Sequence, residues 1–226
     1  MTPPPCYLCG QIDGDPRANL LEPLLHSSWS HRPVLAENSD AAAMPSIGAL
    51  VTGHVLVCPK QHLRSFAAAP AALDQGLGSL AEEVASVLIR TLGLPVHRFE
   101  HGSSTYGSRV ACSVEHAHLH LVPSPVDVVP AISHVARWRR VEGGLRSLRR
   151  AVGAEEYLLY ESPEGRRFVA EAPAGGFPSQ LLRRIFAAEA GEAATWNWRE
   201  HPARERVEAT VSLFADMRDL AGASHG

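Results

Sequence analysis

The chain has 226 residues, 45% of them hydrophobic, and its 21 Lys and Arg against 24 Asp and Glu give a formal net charge of −3. That is enough apolar material to bury a substantial core, as one large domain or one domain with an appendage, and the charge gives no case for general nucleic-acid binding. No apolar run approaches the roughly twenty residues of a membrane span, and residues 1–5 lack a basic start leading into an apolar segment, so a cytoplasmic chain without membrane association is expected.

Four cysteines do not make a secreted disulfide scaffold in a chain of this size. Cys6-Tyr7-Leu8-Cys9-Gly10 is a C-x-x-C followed by glycine, a spacing that lets two thiolates converge on one tetrahedral ion. A redox pair is the competing explanation; such a pair usually sits between a strand and a helix, whereas this one follows prolines and precedes the loop-like Asp13-Gly14-Asp15-Pro16. The remainder of residues 1–25 reads as irregular. Residues 29–37 lead into a first strand, residues 38–46 read as a turn or short connection, and residues 47–59 are strand-rich, with Gly48 and Gly53 marking a bend or close backbone approach.

Leu73, Leu77, Leu80, Val84, Val87, Leu88 and Leu92 recur at three- and four-residue steps, which predicts one amphipathic helix ended by Gly93 and Pro95. Residues 96–101 give a short strand, residues 102–109 a Gly- and Ser-rich loop, and residues 110–123 a strand carrying His116, His118 and His120 at two-residue spacing. Alternation along that strand puts the three imidazoles on one face and sends Ala117, Leu119 and Leu121 into a core. One helix against antiparallel strands indicates an α+β fold rather than a doubly wound parallel sheet.

After Pro123 the composition changes, with six arginines between Arg137 and Arg150. Tyr157-Leu158-Leu159-Tyr160 and Arg167-Phe168-Val169-Ala170 flank Ser162-Pro163-Glu164-Gly165 and predict a β-hairpin; residues 179–190 and 207–220 predict helices. A division into a domain at 1–128 and a C-terminal α+β extension at 129–226, either separate or packed on the same core, is expected. Gln180-Leu181-Leu182-Arg183-Arg184 reads either as an ordinary solvated face or as guanidinium groups reaching a phosphate. Trp196-Asn197-Trp198-Arg199 reads either as core aromatics or as a stacking cover for a base.

His116-Ala117-His118-Leu119-His120-Leu121-Val122 resembles the signature of the histidine triad superfamily, and Gly53-His54-Val55-Leu56-Val57-Cys58-Pro59-Lys60-Gln61-His62 is similar to the upstream strand of that family. The resemblance covers roughly residues 6–125 and implies a HIT-like antiparallel sheet with a long packed helix, generally as a homodimer. In zinc-bearing branches and in the related hexose-1-phosphate uridylyltransferases, the Cys pair is joined by two histidines; carried over by motif position, these are His62 and His116. The resemblance thus implies a structural zinc held by Cys6, Cys9, His62 and His116, with no organic cofactor.

For the chemistry, resemblance and spacing together imply His118 as a nucleophile toward the α-phosphate of a nucleotide, giving a nucleotidyl-histidine. His120 would supply hydrogen bonds to phosphate oxygens, His116 would align the strand, and Ser113 and the Gly107-Ser108 amides would help balance charge. His54 is either an orienting residue or a satisfied core histidine. Cys112 stands where the family commonly has Gln and is either a packing residue or a thiol near phosphate; Glu100-His101-Gly102 stands where Asn-x-Gly is common. The expected function is a nucleotide hydrolase or nucleotidyltransferase acting on a nucleoside polyphosphate, phosphoramidate or nucleotide sugar. A non-catalytic nucleotide- or partner-binding module of the same fold, and a metallohydrolase using the histidine row as a catalytic zinc site, are the alternatives.

Overall fold

The computed structural model describes residues 6–25, 31–103, 116–153 and 155–223. The helix that the leucine spacing predicts is α2 (Asp74–Leu92), in which Leu77, Leu80, Ala81, Val84, Ala85 and Leu88 form one buried stripe. Asp74 stands in its first turn and Arg90 in its last, each opposite in sign to the helix end it occupies. Gly93, at φ +67°, returns its N–H to the Ile89 carbonyl and stops the helix. Burial of each such leucine contributes about 1.5–3 kcal/mol.

The stripe packs against a sheet that contains, among the described residues, eight strands, all paired antiparallel. In chain order these are β1 (Ala36–Glu37), β2 (Ala41–Pro45), β3 (Val55–Pro59), β4 (Val96–Gly102), β5 (Leu119–Pro123), β6 (Arg139–Arg140), β7 (Tyr157–Glu161) and β8 (Arg167–Glu171). Across the sheet the order is β1-β2-β3-β5-β4-β7-β8-β6, so the hairpin after Pro123 continues the sheet begun before it. The fold is α+β, as the strand alternation and a helix packed against antiparallel strands predict.

Both faces of the sheet are covered. Val55, Val57, Leu121, Tyr157 and Leu159 share a core with α2 and with α4 (Leu145–Val152). On the opposite face Phe99, Val122, Leu158 and Tyr160 meet α3 (Val129–Ser133) and Phe186 of α5 (Leu181–Glu189), while Leu56 and Cys58 meet α1 (Tyr7–Asp13). Double burial explains why Tyr157-Leu158-Leu159-Tyr160 is apolar throughout rather than alternating. The last helix, α6 (Arg204–Ala223), adds Val207, Val211 and Phe214 to the α2-side core.

Two sequence expectations need correction. Residues 38–46 are not merely a connection: β2 is a fully buried strand in register with β3, Ala43 opposite Val57. Its three alanines have weak strand preference, and tertiary packing overrides it. The stretch after the cysteine pair is not irregular throughout either, since α1 runs on to Asp13. Cys6 is the N-cap of α1, and Gly14, at φ +71°, closes it with an N–H to the Gly10 carbonyl. Gly10 is needed for a close approach, since a Cβ there would stand 2.4 Å from that of Ala18.

Glu100, 1% exposed in β4, points to the α2 side of the sheet. The Tyr157 hydroxyl and the Phe66 backbone N–H both donate to its carboxyl group. Burial nevertheless pushes its pKa up to about 8. A carboxyl raised on folding contributes fully below its unfolded value and loses that contribution as pH rises through the folded one, here between pH ~4.3 and about 8. Glu100→Gln is therefore expected to remove a loss of unfolding free energy, on the order of a few kcal/mol, that the native chain shows across that interval. Urea titrations at stepped pH check this; parallel pH curves for the two chains would contradict it.

Candidate metal centre and imidazole pocket

Helix α1 brings its N-cap Cys6 and Cys9 beside His62, which follows β3, and His116, which precedes β5. Cys6 Sγ lies 3.5 Å from His116 Nδ1, and Cys9 Sγ lies 3.3 Å from His62 Nδ1 and 3.4 Å from His116 Nδ1. The four ligand atoms all fall within 4.8 Å of one another. A tetrahedral ion with metal–sulfur and metal–nitrogen bonds of about 2.3 and 2.1 Å has ligand edges of roughly 3.6 Å, so this donor set fits one. His116 Nε2 donates to the Pro59 carbonyl at 2.8 Å, which leaves Nδ1 as the nitrogen turned to the sulfurs. Burial, reinforced by Cys6, pushes the Cys9 thiol up to about 12, a penalty that a cation at the centre would oppose.

His116 does not share a regular strand face with the other two histidines, as strict alternation predicts. The strand begins only at Leu119, and the preceding backbone bends, with Ala117 N–H donating to the Leu63 carbonyl at 2.6 Å. His116 turns to the sulfurs while His118 and His120 turn to a pocket. This separation also removes the row from a common catalytic metal site: among the described residues, the one such ligand group contains His116 but neither His118 nor His120.

The pocket opens to solvent, with a cavity volume of about 50 Å³, and His118 and His120 form part of its wall. Both are nearly buried, at 8% and 7% exposed. His118 Nδ1 donates to the His116 carbonyl at 2.6 Å, so its Nε2 carries the lone pair in the neutral ring. The Leu50 N–H donates to His54 Nδ1 at 3.1 Å; His54 Nε2 must then hold the proton that bridges 2.9 Å to His120 Nδ1. By the same logic His120 Nε2 is an N–H donor. Phe99 stacks on His120 with ring centroids 4.4 Å apart. Burial, with the Arg183 charge adding to it, lowers His118 to about 4 and His54 and His120 well below the ordinary imidazole value. His54 thus orients His120 and is also a satisfied buried histidine.

Other parts of the wall come from both ends of the chain. Tyr7, Leu8 and Gln11 of α1 face Gln180, Leu182, Arg183 and Trp198. Tyr7 and Trp198 approach at 5.6 Å between ring centroids. Arg183 is 4% exposed, buried rather than part of a solvated arginine face, and donates to the carbonyls of Gly48 and Trp196. Trp196 packs beside the core with the Arg184 guanidinium 3.7 Å over its ring. Glu100 faces away, and His101, the next residue, lines the pocket instead. Sequence reading did not single out His101 or Gln11; strand alternation around Glu100 would have found the former, and a helical reading of residues 7–13 the latter. Ser113, Cys112, Gly107 and Ser108 lie outside the described residues.

Residues 30–125 match the HIT domain. Among solved structures, the chain is similar to a HIT family protein from Bacillus anthracis, with 23% identity, coverage of 52% of this chain and 72% of that one, and a TM-score of 0.39. It is also similar to a Zn-bound histidine triad family protein from Mycobacterium smegmatis, with 20% identity, coverage of 52% and 73%, and a TM-score of 0.38. A third likeness is to a hypothetical histidine triad nucleotide-binding protein from Sulfolobus tokodaii, at 18% identity, 53% and 68% coverage, and a TM-score of 0.39. No curated protein matches the chain. Among the described residues no helix is long and apolar enough to cross a membrane.

Titration of the chelator-treated chain with Co²⁺ is expected to produce thiolate charge-transfer absorption and the visible bands of a tetrahedral ion. Competition with Zn²⁺ should displace cobalt, and His62→Ala should weaken binding at least about tenfold. A Cys6–Cys9 disulfide under mild oxidation, with cobalt binding indifferent to His62, would instead favour the redox reading of the pair.

Proposed function

We propose that the imidazole pocket is the active centre of a nucleotide hydrolase or nucleotidyltransferase. The observation that carries this reading is the paired tautomers of His118 and His120. Nε2 of His118 presents a lone pair and Nε2 of His120 presents an N–H to one pocket, with both rings neutral near pH 7. A nucleophile and a hydrogen-bond donor side by side are what attack at phosphorus requires. The match of residues 30–125 to the HIT domain supports the same chemistry.

In the first step the Nε2 lone pair of His118 forms a bond to the α-phosphorus as the bond to the leaving oxygen or nitrogen breaks, and the leaving group takes the bonding pair, a leaving nitrogen also taking a proton from solvent. The His120 N–H donates a hydrogen bond to a phosphoryl oxygen or to the departing atom, and the His116 carbonyl keeps its hydrogen bond from Nδ1–H of the cationic nucleotidyl-imidazole. In the second step an acceptor oxygen bonds to phosphorus, His118 Nε2 departs with its electron pair, and the acceptor proton passes to solvent. Water as acceptor makes the enzyme a hydrolase, inorganic phosphate a phosphorylase, and a sugar phosphate a transferase.

Zinc suits the Cys6, Cys9, His62 and His116 donors, two thiolates with two imidazoles in a closed tetrahedral set. When bound it would act structurally. The residues themselves show why this affects the pocket: α1 carries Cys6 and Cys9 at the cluster and Tyr7, Leu8 and Gln11 at the pocket wall, and the His116 carbonyl fixes the His118 tautomer.

His118→Ala is expected to lower turnover of the responsive substrate by about 10³-fold or more while nucleotide binding persists. A panel of dinucleoside polyphosphates, a nucleoside phosphoramidate and nucleotide sugars, with and without phosphate, identifies that substrate by product mass. Acid-quenched native enzyme should carry a nucleotidyl adduct on His118. Turnover unchanged by the substitution would reject the mechanism, and nucleotide binding without turnover across the panel would favour the binding-module alternative.

A further inference from the structure

Arg183 lies outside residues 30–125, in the segment that follows the matched region, yet it borders the same pocket as His118 and His120. Its guanidinium is nearly buried, and its bonds to the Gly48 and Trp196 carbonyls use two of its five N–H donors. Those carbonyls are neutral, and no carboxylate forms an ion pair with it among the described residues. A buried guanidinium without a counter-charge is an unfavourable arrangement unless an anion joins it.

Three further atoms of the pocket wall are incompletely bonded. Gln11 Nε2, Gln180 Oε1 and His101 Nδ1 are buried side-chain atoms with no hydrogen-bond partner among the described residues. Gln180 is moreover held at φ +56°, a left-handed conformation unusual for a side-chain-bearing residue. Buried polar groups normally find partners, and three atoms on one cavity that no described residue bonds, beside a guanidinium that no described carboxylate pairs, point to a ligand that supplies them together.

We propose that Arg183 is the anion receptor of the pocket, donating to a phosphoryl oxygen of the ligand, while the Gln11 and Gln180 amides bind its uncharged part. The assignment rests on the nucleotide reading above and adds to it a specificity residue from beyond the matched region. Arg183 carries the fixed positive charge that neutral His118 and His120 do not, and its fork leaves N–H groups for a tetrahedral anion.

The test is a set of calorimetric titrations on the zinc-loaded full chain carrying His118→Ala, which prevents turnover, with AMP and UMP against adenosine and uridine. Adding Arg183→Gln is expected to cut the ratio of monophosphate to nucleoside affinity by about tenfold or more, and Arg183→Lys to restore part of it. Gln11→Ala is expected to weaken monophosphate and nucleoside by a similar factor. Inorganic phosphate should compete with AMP before but not after Arg183→Gln. Equal loss for nucleotide and nucleoside would reduce Arg183 to a clamp between Gly48 and Trp196 and overturn the proposal, as would an unchanged ratio or no nucleotide binding at all. Because every arm reads binding, the ratio change together with a native chain that turns over none of the substrate panel would reject the enzymatic reading and leave the anion receptor standing.

Discussion

One residue holds the two centres of this protein in register. His116 turns Nδ1 to the sulfurs of Cys6 and Cys9, donates a hydrogen bond from Nε2 to the Pro59 carbonyl, and accepts on its own carbonyl a hydrogen bond from Nδ1 of His118. Each contact restricts the others. The Pro59 bond selects the nitrogen available to a metal, the sulfurs fix the ring, and a ring so fixed sets the direction of the carbonyl that decides where His118 keeps its lone pair. The bend that breaks the strand before Leu119 is the geometric condition for all three, because an extended strand would have put His116 on the pocket face.

The second constraint is burial. Both faces of the sheet are covered, so the histidine face sits in a low-dielectric setting where imidazolium is disfavoured and neutral tautomers must be held by specific partners. The chain from Leu50 N–H through His54 to His120 supplies them on one side, and the His116 carbonyl supplies them on the other. Arg183 then acts at longer range, its charge adding to desolvation in depressing all three rings around it. Metal cluster, tautomer chain and guanidinium come from widely separated parts of the sequence, and the sheet is what assembles them.

Much of this was legible in the residues. The leucine repeat specified α2 closely, the Tyr157 and Arg167 runs specified a hairpin, and glycines 48 and 53 do mark close approaches: a Cβ at Gly53 would meet Leu92 at 2.7 Å, and one at Gly48 would meet Trp198 at 2.5 Å. Motif position brought His62 and His116 to Cys6 and Cys9, and the fold gathers the same four side chains. What was not legible depended on tertiary contact. Three alanines carry no strand signal until α2 on one face, α1 on the other and β3 beside them bury them, and an arginine beside another arginine on a short helix looks solvated until Gly48 and Trp196 are seen to enclose it. His101 was hidden by attention to its neighbour Glu100, whose side chain serves the other face.

The position of β7 has a consequence for how this surface meets other molecules. By pairing with β4 from Arg98 opposite Glu161 to Gly102 opposite Tyr157, the chain fills with its own residues the row of peptide groups that β4 would otherwise offer to a neighbour. The described sheet ends instead in β1 and β6, two residues each. Edges so short give an incoming strand too few rungs for register, a form of protection against runaway strand addition. Strand addition is thus disfavoured at both rims by the shortness of the edges and, at β6, by the exposed charges of Arg139 and Arg140.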